Sequence, residues 1–420
     1  MDVIIFLILN LIIYFVKGNH IKIHFYKEKF ISLNHIDTIF FSKISTNVSF
    51  GTPSFNISLE ISTDTPYFVV KGSKNVNEYK QENSSSFFFI KYGKSYVYKN
   101  TYFHAVFFNE NFRINNQTIN LYSMMNWSPN PISINYGLIG LQLYDIKFQE
   151  NNIFINQLYD KGLIKEKMFS LIYENEFKGE LIIGDYPHNK TRLLNGKKLK
   201  VCNNTFASNG IVWGTIFEEI KFGKNFYFFG NFKTKDLNYI GLFSNVYYGI
   251  IGSKEYNIFI NETFFKYKLE NKLCWIQKIN DDKFYGYVCS NKIDTSNIPP
   301  IKFYHKGLNY IFEIENKEMW LNYNNLKYFI IFFSYDNQYS WILGQKFLEK
   351  YPIILDGQKN LIGLYYKEEI VTRNYYYLYI IIILIIVLII VYVFYKNINL
   401  NSSKNKQTDV ELEDLILLKK

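Results

Sequence analysis

Two short apolar runs closed by glycine, Leu138-Ile139-Gly140 and Ile342-Leu343-Gly344, stand in the two halves of the chain. Each has a strand-like run ending at a serine upstream of it, at Ser62 and at Ser244. The echo suggests two similar halves packed face to face. What fills each half follows from the pattern around them. Residues 46–50 and 55–62 alternate as strands on either side of a Gly51-Thr52-Pro53 turn. Residues 87–90 lead to a hairpin tip at Lys91-Tyr92-Gly93-Lys94, and 169–173 and 180–183 are further strands. In the second half, 212–222, 225–232, 240–243, 301–303 and 310–313 read the same way. One short helix is expected at 154–161, capped by Gly162, and no long amphipathic helix is read. Many short strands between turn signals predict an all-β fold of barrel or sandwich type.

The 420 residues suffice for one large bilobal unit with appendages. Residues 4–16 form an apolar core ending near Lys17-Gly18, so 1–18 reads as a signal peptide. Its start carries no positive charge, which leaves an uncleaved anchor as the alternative. Residues 19–41 are a lead-in or pro-like segment. Residues 375–395 are 21 uncharged residues with tyrosines at both ends, read as one C-terminal transmembrane helix. A linker at 367–374 precedes it and a polar tail at 396–420 follows. The expected arrangement is a membrane-anchored, single-pass type I protein of the secretory pathway, at the cell surface or in a secretory organelle. Lys367 and Arg373 compete with that orientation, which rests on the N-terminal segment. The tail ends in ELEDLILLKK, which loosely resembles an acidic-dileucine trafficking signal; a solvated tail is the default.

Net charge is +10, but the lysines are scattered and no nucleic-acid motif accompanies them, so no nucleic-acid partner is expected. The six histidines have no ligand spacing with the three cysteines, so neither a metal nor another cofactor is expected. Cys274 and Cys289 flank the polar stretch NDDKFYG, which suits a hairpin closed by a disulfide and leaves Cys202 odd. Glycosylation sequons stand at Asn47, Asn56, Asn83, Asn116, Asn126, Asn189, Asn203 and Asn261. In a chain this rich in asparagine, many arise by chance.

Several stretches, in order, resemble the pepsin-like family of eukaryotic aspartic proteases. They are Gly51-Thr52-Pro53, Lys91-Tyr92-Gly93, residues 136–141 (YGLIGL), residues 179–184 (GELIIG), and residues 298–303 (IPPIKF). The most specific is residues 341–364, WILGQKFLEKYPIILDGQKNLIGL. The resemblance implies a bilobal pepsin-like acid protease fold, with lobes at 42–205 and 206–366, and makes Tyr92 and Gly93 substrate-binding flap residues. Cys274-Trp275 and the C-terminal apolar run are similar to the membrane-anchored, plasmepsin-like branch of apicomplexan parasites.

The departures fall where the family's chemistry lies. Its two Asp-Thr-Gly loops correspond here to Ser62-Thr63-Asp64-Thr65 and Ser244-Asn245-Val246-Tyr247, and a further aspartate is Gln345. The family mechanism uses two carboxylates that share a proton, one acting as base and the other as acid on one water. A serine hydroxyl does neither near neutral pH. Nothing places His104, His188 or His305 beside either serine, and no G-x-S-x-G elbow exists, so a serine nucleophile has no base. Ser62 and Ser244 are therefore degenerate dyad positions. The expected function is a catalytically inactive scaffold that binds a protein or extended peptide in the interlobe cleft. One alternative is an aspartic endopeptidase with a shifted dyad, built on Asp64-Thr65-Pro66. The second half offers no matching aspartate, since Asp236 lies eight residues before Ser244. The other alternative is a structural or adhesion protein whose cleft is filled by Tyr247 and Tyr248.

Overall fold

The structure, a computed structural model, describes residues 20–27, 37–71, 79–98, 101–114, 117–126, 137–142, 153–204, 213–222, 226–227, 239–279, 283–335, 341–367 and 381–396. The expected signal peptide at 1–18 and the tail beyond 396 lie outside them. The chain divides into a unit ending at Lys367 and a second unit, 368–420.

The echo between the halves is a shared strand order. In the first half, Phe55–Ser62 pairs in parallel with Gly137–Gly140. That strand pairs antiparallel with Phe68–Lys71, which pairs in parallel with Gln117–Asn126. In the second half, Tyr239–Phe243 pairs in parallel with Trp341–Leu343. That strand pairs antiparallel with Ile250–Gly252, which pairs in parallel with Ile331–Ser334. The closing glycines make this crossing possible. A Cβ on Gly140 would lie 2.4 Å from the Thr65 carbonyl oxygen, and one on Gly344 would lie 1.9 Å from that of Gly249. Any side chain there would push the loop that follows each serine out of place.

A platform joins the halves. Its strands run Lys197–Asn203, Leu361–Lys367, Ile353–Asp356, Met168–Asn175, Lys178–Ile183, Ile21–Lys27 and Ile44–Phe50 in hydrogen-bonding order. Leu355, from late in the chain, pairs with Phe169 from the first half. The cores beneath are aromatic: Phe68 stacks on Phe154 at 5.3 Å, and Phe265 on Tyr287 at 3.8 Å.

Three expectations need correction. The fold is not all-β: helices stand among the strands, so it is a mixed α and β architecture. The longest run in the second half is Lys254–Ile260, continued through a π turn at Asn261–Phe265 into Lys266–Glu270. Ser253 caps it by accepting the Tyr256 N–H at 3.3 Å. Its buried residues, Tyr256, Phe259, Ile260, Phe264 and Phe265, recur at helical spacing. Their aromatic, strand-favouring side chains concealed that period.

The second correction concerns the membrane. Among the described residues no helix is long and apolar enough to cross a bilayer. The helical run there is 381–396, sixteen residues. An uncharged apolar run at 375–395 has the composition of a span, but composition alone does not specify the continuous helix that a span needs. The expected transmembrane helix, membrane anchoring and type I topology are withdrawn.

The third concerns the hairpin at Tyr92. Phe88–Tyr98 runs on as one strand against Thr101–Ile114, with Tyr92 opposite Val106. The expected tip at 91–94 is instead an irregularity between Tyr92 and Ser95, where Gly93 is absorbed within the strand.

Candidate functional site at the interlobe seam

Ser62 ends a strand whose last four residues are buried, and Ser244 directly follows Tyr239–Phe243. Both serines are buried. Each hydroxyl folds back on its own loop: Ser62 Oγ accepts the Asp64 N–H and Ser244 Oγ the Val246 N–H, both at 3.2 Å. These are turns of the kind serine favours two residues before an N–H. The two positions therefore do matching structural work in the two halves.

The loops also interlock. Asn245 Oδ1 accepts the Thr63 N–H at 2.8 Å, and Asn245 Nδ2 donates to the Ile61 carbonyl at 2.7 Å. In return, Thr63 Oγ1 accepts the Asn245 N–H at 3.1 Å. Thr63 and Asn245 are both buried, so these bonds form away from water, where losing one leaves an unsatisfied group. The Thr63 hydroxyl lies 3.0 Å from Asn245 Oδ1 and 2.8 Å from Asp64 Oδ1. It has one proton to give, and the carboxylate is the stronger acceptor.

Asp64 is the exception in this buried constellation: its side chain is exposed. Its second oxygen, Oδ2, accepts the Ser244 hydroxyl across the seam at 2.8 Å. One carboxylate is thus held by a hydroxyl from each half. Tyr247 follows in the second loop. Burial, and then the negative charge of Asp64, push its phenol well above the usual range, so it stays neutral. Its ring packs among Phe40 at 5.2 Å, Phe41 at 6.0 Å and Phe284 at 6.3 Å. Tyr248 is fully buried and faces away, under the ammonium of Lys27 at 3.7 Å. Gln345 is buried next to the second loop and accepts the Ser42 hydroxyl, and its backbone N–H donates to the Tyr247 carbonyl at 2.8 Å.

Ser62 and Ser244 are thus brought into one site through Asp64, Thr63 and Asn245. Tyr92 and Gly93 sit on the long hairpin, where Tyr92 is 68% exposed and packs on Phe89 at 5.0 Å. Two of the histidines, His188 and His305, bond elsewhere. His305 bonds Thr215 at 2.8 Å, and His188 bonds Tyr365 at 2.9 Å. Cys274 and Cys289 are disulfide-bonded, and Cys202 is a free thiol 3.6 Å from Thr215. Among the described residues no group of acidic, histidine and cysteine side chains could hold a metal. Two described cavities, one lined by Asn109, Tyr122 and Asp160 and one by Thr52, Asn111 and Arg113, lie on the outside of the first half. Sequence reasoning names Asn245 only as a member of the second loop, assigns it no role, and weighs Asp64 only as a displaced base. The available signal was positional: Thr63 and Asn245 each follow a strand-ending serine, and each carries a short side chain with an acceptor oxygen.

Comparison with known proteins agrees with this geometry. No curated protein matches the chain. The family described as Eukaryotic aspartyl protease matches residues 45–366, a stretch that contains both serine loops and the interlocked seam, and the chain belongs to that family.

Proposed function

We propose that this aspartyl-protease-family domain does not hydrolyse peptides and instead binds an extended peptide or protein segment along the seam between its halves. The observation that carries the reading is the Ser62–Asp64–Ser244 arrangement: two hydroxyls and one carboxylate, where the family reaction calls for two carboxylates sharing a proton. Asp64 accepts hydrogen bonds from two hydroxyls, and neither hydroxyl can serve as the acid that a carboxylate base needs as its partner. General acid–base groups contribute roughly 10²–10⁴-fold each, so losing the paired function removes the reaction at any useful rate. What the scaffold retains is two halves locked in register, a geometry suited to holding an extended chain by backbone bonds. The finer relationship, to the plasmepsin-like branch, rests on Cys274-Trp275 and belongs to the same proposal.

The test combines two readouts on one sample. The full chain is incubated with a library of acetylated decapeptides at pH 4–7. Peptide integrity is followed by mass spectrometry and retention by equilibrium dialysis. Retained, intact peptides support the proposal. Cleavage that pepstatin blocks would overturn it.

A further inference from the structure

We infer that the outer face of the ribbon Thr101–Ile114 and Gln117–Asn126 is a groove for a short acidic oligosaccharide, whose anionic group is taken by Arg113. The inference does not rest on the peptide-binding reading above. The two strands alternate cleanly. Phe108, Glu110 and Phe112 on one, and Ile119, Leu121 and Ser123 on the other, are buried. The side chains between them form three outward cross-strand pairs: Asn109 with Tyr122, Asn111 with Asn120, and Arg113 with Thr118. The outermost pairs lie roughly 14 Å apart along the strands. Two cavities meet at the middle pair. One, of about 340 Å³, takes in Asn109, Asn120 and Tyr122 and is bounded by Asp160 and Lys161. The other, of about 300 Å³, takes in Asn111, Arg113 and Thr118 and is bounded by Thr52 and Ser54.

The polar groups of this face are held in place from beneath. The fully buried Glu110 carboxylate accepts the Tyr79 and Ser86 hydroxyls and the Asn111 N–H, the last at 2.8 Å. Ser86 Oγ also lies 2.8 Å from Thr52 Oγ1, which accepts Asn111 Nδ2 at 3.2 Å. Asn111 Oδ1 in turn accepts Asn120 Nδ2 at 3.3 Å. This chain of bonds, from buried anion to surface, fixes which way each amide points. It leaves Asn120 Oδ1 and one N–H of each amide for a ligand. Tyr122 is fixed as well: Gln157 Oε1 accepts its N–H at 2.7 Å, Gln157 Nε2 donates to its carbonyl at 2.9 Å, and its ring packs on Phe107 at 5.4 Å. Part of the cost of ordering side chains on binding is therefore met before the ligand arrives.

The chemistry on offer fits a sugar better than a peptide. Thr101–Ile114 lies between Phe88–Tyr98 and Gln117–Asn126, and the latter pairs onward with Phe68–Lys71. The ribbon thus has no open edge to which a peptide strand could add, and the groove presents side chains only. Amides and hydroxyls both donate and accept, as sugar hydroxyls do, and the Tyr122 ring sets an aromatic surface among them. Arg113 is exposed and makes no ion pair among the described residues. Its planar fork matches a carboxylate or sulfate. At the other end Asp160 and Lys161 carry both signs, so the demand for an anion falls at Arg113. The net charge of +10 draws an anionic ligand in at long range.

The experiment titrates the full chain calorimetrically at pH 7 in about 0.15 M salt, where surface charges are screened beyond roughly 8 Å. The probes are a hexasaccharide of alternating glucuronate and N-acetylglucosamine, the same chain with its carboxylates reduced to alcohols, that reduced chain sulfated, and an acetylated glutamate-rich nonapeptide. The glucuronate form is expected to bind at least about tenfold tighter than the reduced form, as a charged hydrogen-bonded pair supplies. The sulfated form reports whether the site takes a carboxylate alone or either anion, and both results support the groove. Arg113→Gln is expected to collapse the tenfold ratio to about one. Arg113→Lys keeps the charge without the fork and is expected to keep a smaller preference of the same sign. Asn120→Ala is expected to weaken the glucuronate and reduced forms alike by a few-fold. Arg113 and Asn120 are exposed, so unchanged urea midpoints confirm that the variants are folded. A ratio that survives Arg113→Gln means that the general charge of 47 lysines and arginines does the binding, and overturns the inference. So does tighter binding of the nonapeptide than of the glucuronate hexasaccharide, or no binding of any hexasaccharide.

Discussion

The hydroxyl of Ser244, in the second half of the molecule, donates to the carboxylate of Asp64, in the first half, at 2.8 Å. The bond ties the two halves together at the seam. Ser244 directly follows the strand Tyr239–Phe243, and Asp64 lies two residues past Ser62, which ends the strand Phe55–Ser62. The bond's chemistry is a hydroxyl oriented on an anion, and no proton is shared between acids.

The interlock between the loops is a stability element. Asn245→Ala strands the Thr63 N–H and the Ile61 carbonyl, both in a buried setting. Each unsatisfied group costs about 1–3 kcal/mol, so a loss of roughly 2–6 kcal/mol is expected. Urea unfolding checks it through the midpoint at constant slope. A change under 1 kcal/mol would mean that water or a rearranged loop takes over both groups.

Lys27 gives stability a pH dependence of definite sign. Its ammonium lies over the Tyr248 ring, with Lys346 on the same ring at 5.1 Å and Glu349 and Glu176 nearby. Burial lowers its pKa to about 7, with a further push from Lys346 and opposition from Glu349 and Glu176. The unfolded chain holds this proton up to the ordinary lysine range. Between about pH 7 and pH 10 the unfolded state therefore binds more protons than the folded one, and stability rises with pH. Below pH 7 the burial penalty is present in full. The cation–π contact offsets some of it, on the order of 1–2 kcal/mol. Lys27→Met is expected to raise stability at pH 6 by roughly 2 kcal/mol and to flatten the rise toward pH 9. Denaturant midpoints measured at several pH values test both effects, and an unchanged slope would refute the assignment to Lys27.

The Cys274–Cys289 bridge ties down a sheet edge. Cys274–Ile279 pairs only with Phe284–Ser290 among the described strands, and the two cysteines lie opposite each other in register. The closed loop spans 15 residues. Replacing both cysteines by serine is expected to lower stability by about 3 kcal/mol. Amide exchange should accelerate across 274–279 first and leave the first half as it was. Uniform acceleration over both halves would contradict a local role.

Much of the fold was legible because its strongest requirements are local. The two glycine-closed runs announce the repeated strand order, since Gly140 and Gly344 tolerate no side chain against the loops they face. The helix at 254–270 was illegible, because its buried face is written in Tyr, Phe and Ile, residues that favour strands as readily. The site divides in the same way. Ser62 and Ser244 stand out by their position in the two loops. The partnership of Asp64 with Ser244 spans 180 residues and exists only once the halves meet. No local pattern encodes it.

Removing the bridge between the halves while keeping the charge isolates what Ser244 does. Ser244→Ala deletes the donor to Asp64 Oδ2 and the acceptor for the Val246 N–H. A loss of about 1–3 kcal/mol is expected, since the N–H is buried. Urea unfolding reads this through its midpoint; an unchanged midpoint would show that the Thr63–Asn245 interlock holds the seam without Ser244.

The most direct measurement of the central claim is peptide turnover by the full chain, followed by mass spectrometry across pH 4–7 with and without pepstatin. The account predicts that peptides bound at the seam are recovered intact at every pH and that pepstatin changes nothing in the product spectrum. New peptide termini that vanish with pepstatin, or with Asp64→Asn, would contradict it.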